Sequence, residues 1–178
     1  INGPSLIRAP AWLSNPLGRY YLYFAHHNGK YIRLAYADHL DGPWKIHEPG
    51  TLRLEEAPGC KGHIASPDVV VDDERREFRL YFHGPAKTGG GQKTFLAVSR
   101  DGLHFMATSE ALGLFYWRVF RWDGWWYAMA KGGLLYRSRD GVSSVEKGPN
   151  PFPGSELRGK EYNTPGVRHV ALHQSGKR

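Results

Sequence analysis

The chain has 178 residues, 40% of them apolar and 13% aromatic, enough to bury a core of ordinary size for one domain. No apolar run approaches the ~20 residues of a membrane helix, and Cys60, the lone cysteine, excludes an internal disulfide and lacks the partners of a zinc site. The net charge of +7 comes from basic residues such as Arg19, Lys45, Arg75, Lys93 and Lys147, which are scattered among acids without a run, so neither a nucleic-acid nor a membrane partner is expected.

In chain order, the first apolar segment is Pro4-Ser5-Leu6-Ile7-Arg8, followed by the turn Asn15-Pro16-Leu17-Gly18 and the aromatic strand Tyr20-Tyr21-Leu22-Tyr23-Phe24. A third strand is expected from Tyr31 to Ala37. The same order returns with Pro67-Asp68-Val69-Val70-Val71, Phe78-Arg79-Leu80-Tyr81-Phe82 and Thr94 to Ser99. It returns again with Trp117-Arg118-Val119-Phe120, Trp125-Trp126-Tyr127-Ala128-Met129 and Gly133 to Ser138, and begins a fourth time at Arg168-His169-Val170-Ala171-Leu172. After the third strands of the second and third units, Ser99-Arg100-Asp101-Gly102 and Ser138-Arg139-Asp140-Gly141 offer the positive φ of a tight hairpin, so a fourth, edge strand should follow each.

Four short antiparallel strands per unit, repeating every ~50 to 60 residues, are the pattern of propeller blades. The expected fold is therefore an all-β propeller. Its blades fall at about 1–57, 63–112 and 115–152, with the start of a fourth at about 164–178. About three and a quarter blades cannot close a ring, and an open ring leaves a long unpaired sheet edge. The chain is thus expected to be a single incomplete propeller domain from a longer protein.

A blade sends its turns alternately to the two faces of the disc. One face receives the Asp-Gly and Asn-Pro-Leu-Gly turns. The other receives the starts of the inner strands, the turns between second and third strands, and the crossings between blades, and there the polar chemistry converges. Its residues include Asp68 and His169 from inner strands, with Arg118 and Arg168. Second-to-third turns add His26, His27 and His83, and crossings add His63, Tyr116 and Glu161. His83 is read as matching the His26–His27 pair, of which at most one member points toward the site because neighbours on a strand alternate. Asp68 and Glu161 are the candidate catalytic carboxylates, and the others are candidate substrate contacts. Although there are nine histidines, only His26 and His27 are close in sequence, and no metal or other cofactor is expected.

Three stretches resemble the five-bladed propeller glycosidases, the clan containing glycoside hydrolase families 43, 32 and 68. They are Gly18-Arg19-Tyr20-Tyr21-Leu22-Tyr23-Phe24 with Ile32 to Ala37 behind it, Ala65-Ser66-Pro67-Asp68-Val69, and Asp123-Gly124-Trp125-Trp126-Tyr127. The resemblance implies a carbohydrate ligand and hydrolysis of glycosidic bonds. It also implies an Asp in the first inner strand, just before a Pro, with a Glu from a later blade as the acid. Here Asn2-Gly3-Pro4 has Gly3 in the place of that Asp. Asp68 as base with Glu161 as acid is one way to recover two carboxylates. A chemistry using His and Arg is another, and inner-strand arginines would suit an anionic sugar such as a uronate. A propeller that binds carbohydrate without cleaving it, and one that docks proteins, stand as alternatives.

Overall fold

A computed structural model describes residues 2–152, 167 and 170–173. It is all-β apart from two three-residue 3-10 turns, Leu54–Glu56 and Lys131–Gly133. The chain divides into two compact units, Ile1–Leu112 and Gly113–Arg178.

The first unit holds two antiparallel sheets. β1 (Asn2–Arg8), β2 (Tyr20–Ala25), β3 (Tyr31–Ala37) and β4 (Lys45–Arg53) pair in sequence order, and so do β5 (Ala65–Asp72), β6 (Glu77–Pro85), β7 (Gln92–Ser99) and β8 (Met106–Ala107). Meanders of this kind need only short turns between neighbours. Their facing sides are aromatic and β-branched, and they pack a shared core that includes Tyr21, Tyr23, Ile32, Leu34, Leu52, Phe78, Phe82 and Phe95. Polar bonds cross between the sheets at fixed points. The buried Tyr23 hydroxyl donates to the Gly102 carbonyl at 2.9 Å, and Trp12 Nε1 donates to Asp73 Oδ1 at 2.8 Å while its ring meets Phe78 edge-on.

Arg79 is the largest fully buried side chain of this core. Its guanidinium reaches Asp72 Oδ2 at 2.9 Å and Glu77 Oε1 at 3.0 Å. A charge placed on a central strand is tolerable only with such partners.

The second unit begins with β9 (Gly113–Leu114). Its antiparallel sheet is β10 (Arg118–Trp122), β11 (Trp125–Met129), β12 (Leu135–Ser138) and β13 (Glu146–Lys147), again in sequence order. Between β10 and β11 only Asp123 and Gly124 intervene, both with positive φ (47° and 73°), as a two-residue hairpin with the strand twist requires. The expected third strand from Gly133 begins instead at Leu135, because Gly132 and Gly133 take positive φ (78° and 73°) in the 3-10 turn before it. Of the expected fourth inner strand, Val170, Ala171 and Leu172 are described and are not in a strand.

The edge strands β8 and β13 follow their Asp-Gly hairpins as expected, though each is only two residues long. Both turns are built alike. Ser99 Oγ donates to Asp101 Oδ1 at 2.8 Å, and the same oxygen accepts the Leu103 and His104 amides. Ser138 and Asp140 repeat the arrangement with Val142 and Ser143. An Asp side chain thus closes each turn by satisfying backbone donors that the two-residue edge strand leaves over.

Candidate functional site

β1 and β5, the inner strands of the first unit, enter their sheets through the same irregularity. Asn2 pairs with Ala25 and Ser5 with Tyr23, whereas Ala65 pairs with His83 and Asp68 with Tyr81, so each inner strand spends one extra residue over this step. The extra residues fall in Gly3-Pro4 and Ser66-Pro67. Gly3 and Ser66 both take positive φ (52° and 47°), and they lie against each other. Ser5 and Asp68 then occupy equivalent positions, as the alignment of inner strands expects.

The two bulges are bonded together. Ser66 Oγ donates to the side-chain oxygen of Asn2, and Asn2 Nδ2 lies 3.1 Å from His27 Nδ1. One step further in, the Val69 amide donates to Ser5 Oγ at 2.9 Å. Asp68, half-buried, follows directly after the second bulge.

The β2–β3 turn is His26-His27-Asn28-Gly29-Lys30, closed by Gly29 N donating to His26 O at 2.9 Å with Asn28 at φ 58°. It is tied to the crossing between sheets because Ile64 N donates to Gly29 O at 3.0 Å and Lys30 Nζ donates to Gly62 O. On the other side the crossing rests on Gly84, where any Cβ would strike the His63 carbonyl. These contacts bring His63 between the two sheets. Its ring meets that of the buried His83 at right angles (89°), centroids 6.4 Å apart, and its Nε2 is 3.4 Å from Gln92 Oε1. Burial holds the His63 imidazole below the usual histidine range, opposed by its Gln92 bond and reinforced by the charges of His27 and Lys30.

These contacts set His27 against the bulges that precede Ser5 and Asp68, and His63 against His83. His26 shares the turn, with Nδ1 3.2 Å from the His27 carbonyl oxygen. The expected equivalence of His83 with the His26–His27 pair does not hold: opposite the bulge, His83 occupies the place of Ala25. It stands one position before the place of His26 and is buried within β6, while His26 and His27, in their turn, stay exposed. In the second unit, Tyr116 has φ 65° with its ring 4.7 Å from Phe115, and Arg118 begins β10 opposite Met129. Glu161, Arg168 and His169 lie outside the described residues. Asn2, Lys30, Ser66 and Gln92 complete the cluster without having stood out in sequence, since each acts through a partner in another strand or turn. Among the described residues no group of three His, Cys, Asp or Glu side chains can hold a metal ion.

No family model matches the chain. Solved structures do match, among them a family 43 enzyme of Xanthomonas citri complexed with xylotriose (14% identity, TM-score 0.63, covering 82% of this chain and 54% of that one). The fold is that of the propeller glycoside hydrolases. A thermostable family 43 glycoside hydrolase matches at 17% identity and a TM-score of 0.61, with 86% of this chain and 54% of the other covered. A family 117 glycoside hydrolase of Zobellia galactanivorans matches at 20% and 0.57, covering 76% and 44%. In sequence, an uncharacterized protein of Acanthamoeba polyphaga mimivirus is 35% identical over 99% of this chain. The chain spans 56% of the length of that relative.

Proposed function

We propose that this chain acts in a carbohydrate-active propeller that hydrolyses a glycosidic bond of a poly- or oligosaccharide. The observation that carries the reading is Asp68, a half-buried inner-strand carboxylate placed just past a bulge, with His27 set against the bulges and His63 against His83. Glycoside hydrolysis requires one ionised and one protonated carboxyl. Asp68 is assigned the ionised role, taking a proton from the attacking water as the bond from sugar carbon to glycosidic oxygen breaks. Glu161 is assigned the acid, giving its proton to the departing oxygen. Residues 1–57, 63–112, 115–152 and 164–178 are assigned to successive blades of a five-bladed ring. His26, His27, His63, His83, Tyr116, Arg118, Arg168 and His169 are assigned to substrate contacts.

The test is turnover of aryl glycosides, arabinan, xylan, fructan and uronate-containing glycans by the full-length protein, beside Asp68→Asn and Glu161→Gln. A folded Asp68→Asn should lose about a hundredfold or more in rate. Unchanged turnover in that variant would remove Asp68 from the chemistry.

A second reading, binding without cleavage, is favoured by the bulge of β1, where Gly3 leaves no room for a carboxylate beside Ser66. Saturable binding of a glycan with no turnover of any substrate would establish it.

A further inference from the structure

The polar end of the first unit holds more positive charge and more N–H donors than a neutral sugar calls for. Asn2 accepts the Ser66 hydroxyl on its amide oxygen and so presents its NH2 to His27. An amide NH2 only donates, which makes His27 Nδ1 the acceptor and leaves the ring proton on Nε2 of an exposed side chain. At the other end of the same turn, Lys30 extends across to the Gly62 carbonyl, holding its ammonium at the crossing beside His63. A Lys–carbonyl bond uses one of three ammonium donors. His63 in turn faces the Gln92 side-chain oxygen through Nε2. Lys30 is the cation at this crossing.

We propose that His27 and Lys30, beside His63, form the seat for the carboxylate of an acidic sugar, a uronate unit of the glycan. This rests on the carbohydrate reading above and names the substrate class of that site. An exposed imidazole N–H fixed in one tautomer and an ammonium tethered by its own backbone contact give charge-assisted donors with little freedom left to lose on binding. Asp68 stands apart from this seat along β5, beyond the Ser66-Pro67 bulge, so the carboxylate assigned to the chemistry and the group that recognises the anion belong to different segments.

The test is calorimetric binding of three acidic oligosaccharides, oligogalacturonate, oligoglucuronate and oligomannuronate, to the full-length protein at low salt, each beside its methyl ester. Esterification keeps the sugar and removes the charge. At least one acid should bind about tenfold or more tightly than its ester, and the preference should shrink in 0.5 M salt. The ratio of acid to ester affinity should fall about tenfold in Lys30→Gln and be restored in Lys30→Arg, which keeps the charge. Equal binding of acid and ester, no binding of any of the three acids, or a ratio unmoved in Lys30→Gln overturns the proposal. Reducing ends measured in the same mixtures separate this from the hydrolase reading. Acid-selective binding without cleavage keeps the seat and removes the hydrolase, whereas cleavage of neutral glycans with no preference for acids does the reverse.

Discussion

A Cβ atom built on Gly3 would lie 2.6 Å from both Cα and Cβ of Ser66, closer than such atoms approach in real proteins. Gly3 also has φ 52°, a conformation that side chains disfavour. The position at which the propeller glycosidases are expected to carry a carboxylate is therefore closed by the facing bulge. Gly3→Asp should not create a base. It should cost ~2 kcal/mol or more in urea unfolding, and Gly3→Ala should cost nearly as much because the first carbon already collides. A neutral Gly3→Ala would show that the two bulges part easily.

The Asp101 and Asp140 carboxyls are both held well below the usual carboxylate range. Burial works against this, and is outweighed by the bonds each accepts: from His104, Leu103 and Ser99 at Asp101, and from Ser143, Val142 and Ser138 at Asp140. A carboxyl whose folded value is depressed stabilises the fold above its unfolded value, about 3.9, and that stabilisation disappears as pH falls toward the folded value. The melting temperature should therefore drop steeply below about pH 4. Asp101→Asn with Asp140→Asn should flatten that slope, leaving the curve above pH 5 parallel to the parent. An unchanged slope would assign the acid sensitivity to other carboxylates.

Arg79 joins Asp72 and Glu77 in the interior, and removing it takes the nearest cation from two carboxylates whose side chains are only 4% and 14% exposed. Arg79→Met should destabilise the protein by roughly 3–5 kcal/mol in denaturant unfolding, the range for breaking a buried pair from one side. A loss under about 1 kcal/mol would mean that water or a rearranged strand end takes over the guanidinium's role.

Cys60 is a free thiol in the crossing between β4 and β5. It is 1% exposed and bridged to Ala86, and burial pushes its thiol up to about 12, against a weaker opposite pull from Lys87. A thiol in that state is not a nucleophile at neutral pH. An aromatic disulfide reagent at pH 8 should leave it unmodified in the native protein and label it fully in denaturant. Rapid native labelling would place the crossing at residues 57–64 among the segments that open locally.

Strand order, hairpin turns and the three sheets were legible in the chain because each rests on neighbours in sequence. Alternating aromatic residues specify β2, β6 and β11, and Asp123-Gly124 or Ser99-x-Asp101-Gly102 specify turns through local φ and side-chain bonds. The partners across the site were not, since they depend on register and on packing between sheets. His83 stands opposite Ala65 as Ala25 stands opposite Asn2, one position before the place of His26, so it is buried while the His26–His27 pair it had been matched with stays exposed. Asn2, His27 and Ser66 meet over separations of 25 and 64 residues. A residue's type declares which bonds it is able to make, but the distance to a partner in another sheet is set by how two bulged strands pack, and no local pattern encodes that distance.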